Sequence, residues 1–128
     1  MSKVLQMREA HFPSRAPIDA YGQGGFRFAD LSHRGGVLCL PSGIYGANFK
    51  EGEIMLENIF PILKEKQNIE FLLIGTGEKI QPLKDEVRSI LQEERVAFEL
   101  MNTGAAVRTF NVLLAEDRAI AALLLPVE

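Results

Sequence analysis

The chain has 128 residues, 47% of them hydrophobic and 24% charged, with a formal net charge of -3, values that fit one ordinary globular domain with its own core. Fourteen basic against seventeen acidic residues leave no broad basic face for nucleic acid and no polybasic segment for anionic lipid. No stretch approaches the ~20 consecutive apolar residues of a membrane helix, so direct membrane insertion is not expected. A single cysteine, Cys39, excludes an internal disulfide and a cysteine metal cluster, and His11 and His33 stand at no metal-ligand spacing.

Residues 1–15 mix charge with Pro13 and read as an N-terminal arm, flexible or wrapped on the surface, ahead of a single domain over 16–128. The opening MSKVLQMREAHFPSRAP lacks the continuous apolar core of a secretory signal, which points to a soluble intracellular protein. From Ile18 the texture turns β-like. Tyr21, Phe26 and Phe28 are strand formers, Gly22, Gly24 and Gly25 mark a turn or bulge, and Phe26 and Phe28 share one strand face. Gly36-Val37-Leu38-Cys39-Leu40, closed by Pro41, is the continuous apolar run of a strand buried on both faces. Cys39 is read there as a small buried hydrophobe rather than a nucleophile. PSGIYGANF follows as a hairpin arm.

Leu56, Ile59, Phe60 and Leu63 recur at helical spacing, so a helix is expected near residues 55–66; Pro61 would remove a helical hydrogen bond there, which a start near Asn58, with Asn58 as cap, would resolve. Glu70–Ile74 is a second core strand, running into Gly75-Thr76-Gly77. Ile80, Leu83, Val87, Ile90 and Leu91 then line one face of a helix. Val96–Met101 alternates as a third strand, and Ala119–Leu125 closes the chain as a short strand ended by Pro126. Strands alternating with helices imply a largely parallel core sheet covered on both faces. The helix after Asn102 is unusual: around Ala106 its face carries Phe110, Leu113 and Leu114, Val107 and Val112 flank it, and only Arg108 and Asn111 make a polar stripe. A helix apolar nearly all round is covered on more than one side, by the fold or by a partner.

Two strand-to-helix junctions are the candidate ligand or partner site. Gly75-Thr76-Gly77 lets a backbone approach an anion near a helix N-terminus, but it is neither a P-loop nor a dinucleotide fingerprint, and Glu78 follows it. A tight turn needing positive φ explains it equally in kind. At the second junction Asn102 or Thr103 is a plausible N-cap. Parallel core strands would set both junctions at one sheet edge, with Gly75, Thr76, Gly77, Thr103, Arg108 and Asn111 bordering one shallow cleft. Arg108 would clamp a carboxylate or other small anion there, and Asn111 would supply an amide. Alternatively, Arg108 pairs internally and Asn111 ties down a loop. No catalytic grouping, metal motif or cofactor motif stands out, so no cofactor is expected and the reading leans away from an enzyme.

FRFADLSHRGGVLCLP, LLIGTGEK and MNTGAAVRTFNVLLAEDRAIAALLLP together resemble the Mth938-like domain family, also called DUF498, over roughly residues 16–126. The resemblance implies a three-layer α/β fold. A mixed central sheet would carry helices on one face, and the N-terminal β-hairpin region with a further helix on the other. The family includes mitochondrial proteins similar to assembly factor 3 of respiratory complex I. The resemblance therefore implies a non-catalytic assembly factor for complex I or another membrane complex, whose partner is another protein. It supplies no agreed catalytic set, and none is transferred. The N-terminus is too short and too acidic for a mitochondrial targeting peptide, so a bacterial, cytoplasmic chain is expected. An interaction module of this kind predicts an exposed apolar patch beyond a few hundred Å2. The alternative, a binder of a small molecule or anion, predicts a concave pocket at the six junction residues.

Overall fold

The computed structural model describes residues 11–128. Most of the expected arm, residues 1–10, lies outside the described residues. Its remainder is docked: the backbone of His11 and Phe12 pairs with Ile44, and Arg15 donates to the carbonyl of Arg118.

In chain order the elements are β1 (Ala20–Gly22), β2 (Gly25–Phe28), β3 (Leu31–Arg34), β4 (Gly36–Leu40), β5 (Gly43–Ala47), α1 (Leu56–Lys64), β6 (Phe71–Gly75), α2 (Asp85–Glu93), β7 (Phe98–Met101), α3 (Thr103–Ala115) and β8 (Ile120–Leu124). A short 3-10 turn, Lys66–Asn68, follows α1. The first three strands form a small antiparallel sheet, and the other five form the central sheet in the order β5-β4-β8-β6-β7.

Strands β4 and β8 are buried at every position, and their alternation divides the core into two. Val37, Cys39, Ala122 and Leu124 face one cluster with Phe26, Phe28, Ala106 and Phe110. Leu38, Leu40, Ala121 and Leu123 face the other with Ile59, Ile62, Val87 and Leu91. The result is three layers: the hairpin sheet with α3, the central sheet, and α1 with α2. Full burial of each large apolar side chain contributes roughly 1.5–3 kcal/mol, which is why two continuous apolar runs take the middle of the sheet. Small side chains at Ala106 and Ala122, on the same core face, allow α3 to lie close to the strands.

Three local expectations are corrected. The sheet is mixed rather than largely parallel: β6 pairs parallel with β7 and β8, whereas β4 pairs antiparallel with β5 and β8. The two-residue connection at Pro41-Ser42 admits only an antiparallel hairpin, and β8 then inserts between β4 and β6. Helix α1 starts at Leu56, two residues before Asn58. Met55 is the N-cap in place of Asn58, which as the third helical residue reaches back: its Oδ1 accepts from the Met55 backbone N–H at 2.8 Å while its Nδ2 donates to the Asn48 carbonyl at 2.8 Å. Pro61 therefore lies inside the helix, where it removes one intrahelical donor. Finally, Ile80 is not on α2; it is 62% exposed in the preceding loop, since Pro82 holds the chain extended and the helix begins only at Asp85.

Candidate functional site

Both junctions leave the sheet at the same edge. Strands β6 and β7 run parallel with Gly75 opposite Met101, so the residues that follow each strand meet. A Cβ on Gly75 would stand 2.9 Å from Thr103 Cα and 3.0 Å from Leu124 Cδ2, so only glycine admits the start of α3 against β6. Gly77, at φ +102°, turns the chain back in the left-handed region.

The polar groups there bind one another. The Thr103 N–H donates to the Gly77 carbonyl at 2.8 Å, and the Gly77 N–H donates to Thr103 Oγ1 at 2.9 Å. The fully buried Thr103 hydroxyl donates in turn to the Leu125 carbonyl at 2.7 Å. Thr76 Oγ1 donates to the Lys79 carbonyl at 2.8 Å and accepts from the Gln81 N–H at 2.9 Å, closing the loop that leads to α2. Asn102 caps α3 by accepting from the Ala105 N–H at 2.8 Å. The arrangement is a clasp joining β6, α3 and the segment after β8.

A concavity of about 410 Å3 lies beside the clasp, lined by Thr76, Gln81, Leu83, Lys84, Glu53 and Ile54 among others. Lys84 Nζ and a Glu53 carboxylate oxygen pair there at 3.0 Å. Thr103, Arg108 and Asn111 do not line it. The structure therefore brings together Gly75, Thr76, Gly77 and Thr103, and directs Arg108 and Asn111 towards the N-terminal segment. Asn111 accepts from the Ile18 N–H at 2.9 Å and donates to the Ile18 carbonyl at 2.8 Å. Arg108 is exposed beside Gly104, where the Tyr21 hydroxyl also rests. Among the described residues Arg108 has no hydrogen-bond or ion-pair partner.

Helix α3 is covered on two sides, by the sheet through Ala106, Val107 and Phe110 and by the N-terminal segment through Asn111. Its outer side carries Arg108 and Val112, the latter 59% exposed. The exposed large apolar side chains Tyr21, Leu31, Phe60, Ile80 and Val112 stand on five different segments.

Two contacts lay beyond sequence reasoning. The rings of His11 and His33 sit 4.6 Å apart, and His33 Nε2 lies 3.0 Å from the Gly36 carbonyl oxygen. Burial and the charge of His11 lower the His33 pKa, against the raising effect of the Gly36 hydrogen bond. Cys39 is buried, and burial pushes its thiol up to about 12. Among the described residues no three histidine, cysteine, aspartate or glutamate side chains converge as a metal site, and no helix is long and apolar enough to cross a membrane.

Residues 18–125 match the family described as protein of unknown function (DUF498/DUF598). The chain belongs to that family. A solved structure from Bartonella henselae, described as an outer membrane protein, is 60% identical with a TM-score of 0.88, covering 92% of this chain and all of that one. The solution structure of a Mth938-like domain from Bordetella pertussis is 25% identical with a TM-score of 0.72, covering 87% of this chain and 85% of its own. The three-layer fold is thus Mth938-like. The mouse protein named NADH dehydrogenase [ubiquinone] 1 alpha subcomplex assembly factor 3 is 28% identical over 95% of this chain. This chain spans 66% of that protein's length.

Proposed function

We propose that this chain is a non-catalytic assembly factor, binding protein subunits of respiratory complex I or of another membrane complex during their construction. The observation that carries the reading is the alignment of 95% of the chain with a protein named as a complex I assembly factor. The site chemistry supports its non-catalytic part. Thr76, Thr103 and Asn111 commit their polar atoms to internal hydrogen bonds, which suits a scaffold better than a reacting centre. A small anion held by Arg108 is the second reading, favoured by that guanidinium having no partner among the described residues where it stands beside Tyr21 and Gly104.

Deleting the gene in its native host and resolving membrane complexes on native gels tests the first reading. One complex should be lost, with its subassemblies accumulating, and the wild-type chain should restore it. Unchanged migration of every membrane complex would overturn it. We place the chain in the bacterial cytoplasm, and fractionation tests that placement. Recovery in the outer membrane, the location named for the Bartonella relative, would overturn it.

A further inference from the structure

The hairpin sheet has an outward face that the candidate site does not use. Register sets Ala20 opposite Arg27, Arg27 opposite Ser32, and Gly25 opposite Arg34, so Arg27, Ser32 and Arg34 project to one side of the sheet. A groove of about 590 Å3 lies there, and Tyr21, Arg27, His33 and Arg34 are among its lining residues. Among the described residues no aspartate or glutamate lines it, although the whole chain carries seventeen acidic residues against fourteen basic ones.

The described arginines fall into two sets by their ion pairing. Arg15, Arg88 and Arg118 are ion-paired. Among the described residues Arg27, Arg34, Arg95 and Arg108 have no carboxylate partner. Three of those four gather around the hairpin. Arg27 donates only to Ser32 Oγ, at 3.3 Å, and the Arg34 guanidinium lies against Gly24 in the β1–β2 turn. Arg108 stands beside the Tyr21 hydroxyl over the first turn of α3. A guanidinium has five donors in a fork that matches a carboxylate, so each of these three retains free capacity.

We propose that the outward face of the hairpin sheet, which carries Arg27 and Arg34, is a docking groove for an extended, carboxylate-rich segment of a partner protein. The geometry selects that occupant. Diagonal positions across an antiparallel pair lie about 7–8 Å apart, close to the roughly 7 Å between alternate side chains of an extended strand. Glutamates at every second position of such a segment therefore meet Arg27 and Arg34 in turn. A Cβ on Gly22 would meet nothing within 4 Å, so the space over β1 is open to an approaching backbone. Exposed tyrosine and arginine are also the side chains that concentrate binding energy at protein interfaces. The proposal rests on reading the chain as a protein-binding module and names the chemistry of the partner.

The test uses the full chain and a fluorescein-labelled peptide of about ten residues alternating Glu and Ser, read by anisotropy. A Gln–Ser peptide and an oligothymidylate of similar length serve as comparison probes. The Glu peptide should bind, and binding should weaken as salt rises from about 50 to about 300 mM, because exposed charge pairs are screened. The double variant Arg27→Gln/Arg34→Gln should lose about tenfold in affinity, or about 1.4 kcal/mol, with an unchanged circular dichroism spectrum. Arg95→Gln, an unpaired arginine in the turn after α2, should bind as wild type does. Four results would overturn the proposal: no binding, equal binding of the Gln peptide, tighter binding of the oligonucleotide, or equal losses in Arg95→Gln and the double variant. A chain that binds the Glu peptide through these arginines while every membrane complex assembles without it would keep this groove and discard the assembly role.

Discussion

The Thr103 hydroxyl offers the sharpest measurement, because it decides whether the clasp is architecture or a site held open for a ligand. Thr103→Val keeps the shape and the branching and removes one oxygen. That oxygen accepts from the Gly77 N–H at 2.9 Å and donates to the Leu125 carbonyl at 2.7 Å, in a position with no solvent exposure. Two net hydrogen bonds are worth about 1 kcal/mol each, and leaving the buried Leu125 carbonyl without a partner adds about 1–2 kcal/mol. The expected loss is therefore about 3–4 kcal/mol, a large share of the ~5–15 kcal/mol that holds a domain folded. Thr103→Ser keeps both bonds and deletes a methyl, which costs about 1 kcal/mol. Urea unfolding followed by circular dichroism reads both values, since a chain of this size is expected to unfold in one cooperative step. The midpoint should fall for both variants with an unchanged slope, and much further for valine. A valine variant within about 1 kcal/mol of wild type, or indistinguishable from the serine variant, would refute the clasp.

The same structure makes three further predictions. Asn111→Ala removes two reciprocal bonds to Ile18 and should cost about 2 kcal/mol, with the Ile18 amide losing hydrogen-exchange protection; an unchanged exchange rate would contradict the tie between α3 and the N-terminal segment. Cys39, with its thiol raised to about 12 by burial, should not react with a thiol reagent at pH 8 until the chain is unfolded, and prompt labelling of the native protein would sink that view. Because its pKa is raised above the ordinary 9.0, the stability Cys39 contributes is present below pH 9 and declines as pH rises from there towards about 12. His33 runs the opposite way: its folded pKa lies below 6.5, so its contribution is present above that value and is lost as pH falls through the folded pKa. An NMR titration of the ring placing its midpoint above 6.5 would reverse the sign.

Much of this architecture was legible wherever one residue's neighbours in the chain decide its fate. The runs at β4 and β8 announce strands buried on both faces because every residue in them is apolar, and the parallel pairing of β6 with β7 follows from the helix between them. Pairing between distant strands was not legible. Nothing local to Gly36–Leu40 says that its second neighbour is Ile120–Leu124, and a helix-strand alternation reads the same whether that neighbour runs parallel or antiparallel. The candidate site divides along the same line. Gly75, Thr76, Gly77 and Thr103 could be placed together because two parallel strands end side by side. Asn111 could not be placed, because its partner is the backbone of a residue 93 positions earlier, and backbone groups leave no trace in a sequence. Pro82 carries a signal, not used in placing the helix by apolar spacing, that Ile80 and Leu83 precede it.

The apolarity of α3 has a physical reason that bears on what this protein binds. A helix in a two-layer fold needs one apolar stripe, but α3 is the member of a layer it shares with the hairpin sheet, so it meets the central sheet on one side and the N-terminal segment on another. Ala106, Val107 and Phe110 serve the first contact, and Asn111 anchors the second through Ile18. Its hydrophobic surface is thereby consumed inside the chain. The outward side carries Arg108, Val112 and Ala115, and the exposed large apolar side chains of the described residues stand on five different segments. Recognition by a broad apolar face, which the sequence of α3 invites one to expect, is therefore the weaker mechanism for this fold. Arg27 and Arg34 on the outward face of the hairpin sheet are the stronger one, because among the described residues they have no carboxylate partner and keep donors for a partner that supplies one.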